Sequence, residues 1–263
     1  VEPLKTGVAY EVTVLGLVDC EGNTSGSETI PIFIGELPLP GEIVISEIMA
    51  DPTPSIGLPE GEYFELFNKS DKTLELQGSE LSEVLFEDPL TIDPGEYLAF
   101  ASINNADFFE GLDGIRFLDM STSFFTNGGK ELILTNSEGE QLDFVEYSDD
   151  WYNDSDKDNG GYALELINPN AACSGAFNWS ASNSPLGGTP AEENSIFNDA
   201  PDQTAPTLVS FSIPQDNEVQ LEFSEPLDEE SINSIVATFA PESIVAVIFQ
   251  VQPNELLLKL ILP

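Results

Sequence analysis

Apolar and polar residues alternate in short runs along the chain, and few runs carry a helical period. Val8–Leu17 (VAYEVTVLGL) alternates as a strand, Asp19–Asn23 turns the chain, and Thr29–Ile34 reads as the returning strand. Gly41–Ser70 predicts two strands joined by a Pro-rich loop. The first is β-branched through Ile43, Val44, Ile45 and Ile48. The second carries Tyr63, Phe64, Leu66 and Phe67 with Glu62 and Glu65 interleaved. Asp51, Pro52, Pro54, Gly57 and Pro59 between them exclude a helix. Further strands are predicted at Leu74–Leu76, Leu81–Phe86, Glu96–Ala101, Lys130–Thr135, Gln141–Tyr147 and Tyr162–Ile167. One helical turn is predicted within Asn104–Gly114, and Asn127-Gly128-Gly129 supplies a hairpin-type turn. Near the C-terminal end, Leu208–Ile213, Val219–Phe223, Ile244–Val251 and Leu256–Leu262 are four more candidate strands.

These elements predict an all-β chain in three parts. Residues 1–35 form a short β segment, and Glu36–Pro40 is a stiff linker. Residues 41–198 form the main domain, residues 199–205 a second linker, and residues 206–263 a last β segment. A sandwich needs about seven strands. The last segment offers four or five, so residues 1–35 are expected to complete it, within one chain or head-to-tail between neighbouring chains. A head-to-tail contact need not close and would propagate.

Charge and composition narrow the function. The sequence holds 48 acidic and 7 basic residues, for a net charge of −41. Such a surface repels phosphate backbones and anionic lipid, so nucleic acid is not an expected partner. No apolar run reaches membrane-spanning length, so direct membrane insertion is not expected. There is no histidine, which excludes His-dependent triads and His-ligated metal sites. No phosphate-binding glycine loop appears. No signal peptide opens the sequence, which begins at Val1 and reads as a fragment or a mature form.

Carboxylate chemistry is what remains. Asp154, Asp156 and Asp158 stand at alternate positions in an acidic loop, the way Ca²⁺ loops gather hard oxygen ligands, and Glu165 lies where a twelfth ligand would fall. Asn159 replaces the glycine such a loop requires, so a solvated acidic loop is the competing reading. Cys20 and Cys173 are the only cysteines, and either bridge each other or stand as separate thiols. Glu47, Asp51, Glu62 and Glu65 gather around the opening strand pair. They offer paired carboxylates for acid–base work or, as the preferred reading, are surface residues or acceptors for loop amides. No catalytic and no cofactor-binding residue is assigned. Trp151 and Tyr152 beside the acidic loop are either a stacking surface for a sugar or anchors in the core.

Three motifs carry a family resemblance. The isoleucine-rich S-E-I strand followed by an acidic loop and Y-F-E-L-F-N resembles the opening of a lamin tail domain. Asn127–Tyr147, with its N-G-G and alternating L-x-L, resembles the same family. So does the series through Trp151, Tyr152, Gly160, Gly161, Leu164, Glu165, Cys173, Trp179, Gly187, Gly188, Thr189 and Pro190, which is similar to the bacterial branch. Gly7, Tyr10, Val12, Val14, Gly16, Leu17, Asp19, Gly22 and Asn23 resemble the last strands of a bacterial Ig-like repeat, and Pro206–Pro263 resembles the first strands of another. The resemblance implies an immunoglobulin-like β-sandwich with a second, partial Ig-like module. It implies a non-catalytic structural or adhesion role outside a bacterial cell or on its surface, with a protein or surface polysaccharide as partner. It gives Glu165 a structural role. The alternative it leaves open is an accessory carbohydrate- or Ca²⁺-binding module of a larger secreted hydrolase.

Overall fold

The computed structural model describes residues 3–171, 175–201, 203–232, 245–252 and 254–261. The strands, in chain order, begin with β1 (Ala9–Val14), β2 (Glu28–Phe33), β3 (Ile43–Met49), β4 (Tyr63–Asn68), β5 (Leu74–Glu75) and β6 (Glu80–Leu81). Then come β7 (Val84–Leu85), β8 (Thr91–Ile92), β9 (Tyr97–Ser102), β10 (Ile115–Leu118), β11 (Gly129–Thr135) and β12 (Gln141–Ser148). The last are β13 (Leu164–Leu166), β14 (Trp179–Ala181), β15 (Leu208–Gln215), β16 (Glu218–Phe223), β17 (Val245–Gln252) and β18 (Glu255–Ile261). The chain divides into two compact units. The first comprises the chain up to Pro169 together with Ser180–Phe197, and the second comprises Asn170–Trp179 together with the chain from Asn198.

Two sheets build the body of the first unit. One has six strands in the order β10-β9-β4-β3-β13-β14, and the other has four in the order β12-β11-β6-β7. Aromatic rings fill the space between them. Phe64 stacks on Phe100 at 5.0 Å, Phe86 meets both edge-on, and Phe125 touches Phe64 and Tyr147. Such pairs add to the area they bury.

Strand β3 sits inside the larger sheet and is buried along its whole length. A β-bulge at Ser46 sets its two faces. Ile43 and Ile45 stand opposite Asn68 and Leu66, then the register shifts, and Glu47, Ile48 and Met49 stand opposite Glu65, Phe64 and Tyr63. Ile45 and Ile48, three positions apart, therefore share the face that carries Phe64 and Leu66. Glu47 and Met49 join Tyr63 and Glu65 on the other face.

That second face is also covered. Met49, Leu58, Tyr63, Phe109 and Ala163 form a smaller core there. Phe109 ends the 3-10 helix Ile103–Phe109, the one helical turn predicted in this stretch.

Two details differ from the sequence reading. Leu81–Phe86 is not one strand. Glu80 pairs with Leu85 and Leu81 with Val84, around a turn at Ser82, whose φ of 53° is left-handed. The strand expected over Tyr162–Ile167 is confined to Leu164–Leu166, because the glycine pair before it is bound to a loop.

β1 and β2 form a two-stranded sheet of their own. The second unit contains the four-stranded antiparallel sheet β15-β16-β18-β17. Among the described residues, β1–β2 belongs to the first unit and this sheet to the second.

Candidate functional site

The polar face of the larger sheet holds three glutamates side by side. Glu65 on β4 is directly opposite Glu47 on β3, and Glu47 is directly opposite Glu165 on β13. All three are fully buried. Among the described residues the ion pairs lie elsewhere, at Lys72, Lys130, Lys157 and Lys259, so no cation compensates the three carboxyls. Directly opposed like charges are unfavourable, and burial disfavours the ionised form further.

A strap, Gly187–Ile196, crosses over this ladder and supplies its hydrogen bonds. The Thr189 amide donates to Glu47 Oε1 at 2.9 Å, the Ala191 amide to Glu65 Oε2 at 2.6 Å, and the Ile196 amide to Glu165 Oε2 at 3.1 Å. The Ser195 hydroxyl donates to Glu165 Oε2 at 2.8 Å. From the sheet itself, the Tyr63 phenol donates to Glu47 Oε1 at 2.7 Å and the Ser46 hydroxyl to Glu65 Oε1 at 2.7 Å. Asn194 completes the clasp, its Nδ2 donating to the carbonyls of Ser46 and Leu166 at 2.8 and 2.9 Å. Ser46 is the bulge residue, so the clasp holds the irregular point of β3.

The glycines explain how a strap lies so close. A Cβ on Gly188 would collide with Tyr63 Oη, Glu47 Oε1 and Leu58 Cδ1. Gly187 has a φ of 92°, and its carbonyl accepts the Ala163 amide at 2.7 Å. Gly161 donates to the Asp51 carbonyl at 2.7 Å. The two glycine pairs noted in the sequence thus let three stretches of backbone meet beside the ladder.

The electrostatics follow from burial. Burial, with Glu165 alongside, pushes the Glu47 carboxyl up to about 8. Burial and then Glu47 hold Glu65 well above the usual carboxylate range. Burial and the neighbouring Glu47 raise the Tyr63 phenol well above its ordinary value.

The structure separates the residues singled out from sequence. Glu47 and Glu65 lie in the ladder and accept loop amides. Glu62 lies outside β4, its Oε2 accepting the Phe125 amide at 3.0 Å, and Asp51 joins neither. Asp154, Asp156 and Asp158 are exposed. Lys157 donates to the Ser182 carbonyl and Asn183 Oδ1, at 2.8 and 2.7 Å, while pairing with Asp154 Oδ2 at 3.9 Å, and Asp154 Oδ1 accepts the Asp156 amide. Among the described residues no three acidic or thiol side chains are grouped as a metal cage. Cys20 is exposed, and its expected partner Cys173 lies outside the described residues. Tyr152 is buried and Trp151 is half-buried. Sequence reading missed the participation of Glu165 in a buried ladder and the clasp made by Asn194. The signal available was the L-E strand placed before a T-P-A-E-E-N-S segment rich in small donors.

Two facing β-sheets closed around an aromatic core, nearly free of helix, define an immunoglobulin-like β-sandwich. Residues 38–149 match the family model of the lamin tail domain. The match ends at the C-terminal end of β12, whereas the compact unit continues through β13 and the strap. No curated protein matches the chain.

Proposed function

We propose that the chain is a non-catalytic structural or adhesion module that acts outside the cell or on a bacterial surface and scaffolds a protein partner. The observation that carries this reading is how its buried carboxyls are used. Each of the three faces donors of its own chain, so the acidic cluster binds a strap and not a substrate. Part of the aromatic set agrees, although Phe108, Phe144 and Phe177 are exposed. Phe109, Phe124, Phe125 and Tyr152 are core, which suits a scaffold better than a sugar-stacking face.

The partner we favour is a second copy, joined head-to-tail. On the β1–β2 hairpin, Val12 and Ile30 stand directly opposite each other and are both exposed. On the second unit, β15 is an edge strand whose Phe211 and Ile213 are 67% and 64% exposed. An open edge with apolar side chains is a template for another strand. Adding the hairpin of one copy to the β15 edge of the next would bury both.

Sedimentation across a concentration series tests the reading. Species that grow with concentration and vanish in Phe211→Asp are expected. A monomer at every concentration that retains a surface polysaccharide would replace this reading with the accessory-module one.

A further inference from the structure

The Thr189 hydroxyl carries one hydrogen and faces two carboxyl oxygens. Its Oγ1 lies 3.3 Å from Glu47 Oε2 and 3.1 Å from Glu165 Oε1. One hydrogen makes one good bond. The second contact is a hydrogen bond only if a carboxyl brings a proton of its own. The other donors leave no substitute. Glu47 Oε1 is taken by Tyr63 and the Thr189 amide, and Glu165 Oε2 by Ser195 and the Ile196 amide.

We propose that Glu47 keeps its proton at neutral pH and donates it to Thr189 Oγ1, which donates in turn to Glu165, and that this relay latches the Gly187–Ile196 strap onto the sheet. Alkaline pH removes the proton to hydroxide, leaving a carboxylate and water. Glu47 Oε2 and Thr189 Oγ1 then share no hydrogen beyond the one committed to Glu165. A buried negative charge then appears beside Glu165, and the strap opens ahead of the strands.

The groups facing Glu47 from each packed element are few. Tyr63 and Glu65 come from β4, and Glu165 comes from β13. The strap contributes its amides, with Thr189 and Ser195 as hydroxyls, and Tyr97 lies close enough to feel both Glu65 and Glu193. The sequence has no histidine. Ordinary carboxyls have finished titrating by about pH 6. Burial also raises the carboxyls of Glu62 and Asp143, so the difference between wild type and Glu47→Gln isolates Glu47.

Carbon-13 NMR of the glutamate side-chain carboxyls, from pH 5 to 10, is the direct test. Carboxyl resonances at the protonated position through pH 7, one of them absent from Glu47→Gln, are expected. All carboxyls ionised at pH 6 would overturn the proposal. Hydrogen exchange, corrected for its intrinsic pH dependence, tests the latch. Protection of the Thr189 and Ala191 amides should fall at least ten-fold between pH 7 and 9 while β4 amides hold. Glu47→Gln mimics the protonated acid and should keep that protection. Thr189→Ser should behave as wild type and Thr189→Val should lose protection at every pH. Equal loss in strap and strands, or an unprotected strap in Glu47→Gln with β4 intact, would overturn it. A Glu47→Gln chain that does not fold leaves the wild-type carbon-13 titration to decide.

Discussion

Glu47 and Glu65 stand directly opposite each other on neighbouring strands, and neither exposes any surface. Two ionised carboxyls in that arrangement would repel in a medium that solvates neither. Their raised folded-state values mean that the folded chain holds protons the unfolded chain has released. Folding stability contributed by such groups is complete below the ordinary carboxylate range and is lost as pH rises through the folded values. For Glu47 the loss runs to about pH 8 and then levels. Urea midpoints at pH 5, 7 and 9 should therefore fall in that order. Glu65→Gln should shrink the fall, with an unfolding constant about ten-fold less pH-dependent per unit for each proton removed from the balance.

Gly188→Ala places a methyl group against the Tyr63 phenol and the Glu47 carboxyl. Neither neighbour can retreat, because both are buried and hydrogen-bonded to each other. Overpacking of this kind costs about 1–3 kcal/mol. A lowered urea midpoint with an unchanged denaturant slope is the expected result. An exposed control, Gly139→Ala, meets nothing in space but has a φ of 80° and should cost only its backbone strain.

Asn194→Ala removes the donor that serves two carbonyls, those of Ser46 and Leu166. Leaving buried acceptors unpaired costs about 1–3 kcal/mol. Asn194→Asp keeps the shape but loses the donor and adds charge beside the ladder, so it should be the worse of the two. Thermal unfolding of the pair of variants checks the order.

Calcium should leave the melting temperature where sodium of equal ionic strength leaves it. Lys157, in the middle of the Asp154–Asp158 loop, binds Ser182 and Asn183 and pairs with Asp154, and the three aspartates are exposed without converging. A ligand stabilises only the state it binds. A rise specific to Ca²⁺ and abolished by Asp156→Asn would instead assign the loop to the metal.

Strand content was legible because side chains that alternate in sequence also alternate in space. The hairpin β1–β2, β4, β9, β11 and β12 all lie where the pattern places them. The faces of β3 were not legible. Ile43, Ile45 and Ile48 do not fit a period of two, and only a bulge at Ser46 reconciles them, which depends on a partner strand and on Asn194. The same bulge decides that Glu47 meets Glu65. Sequence alone offered Glu47 and Glu65 as surface residues or as acceptors for loop amides, and could supply neither their burial nor the amides. Those come from Thr189 and Ala191, more than a hundred positions away. Glu80–Leu85 was misread for the opposite reason. Its residues suit a strand, but Ser82 takes a left-handed turn that no local preference of serine announces.

The contact between Asn194 and Ser46 joins residues 148 positions apart. A chain pulled from both sides of this domain would pass the tension from β3 directly into the strap. The loops and sheets between them would hang slack until that contact parted. Thr189, Ala191 and Asn194 would share the load, so the ladder would act as a mechanical shackle whose strength is set by its protonation.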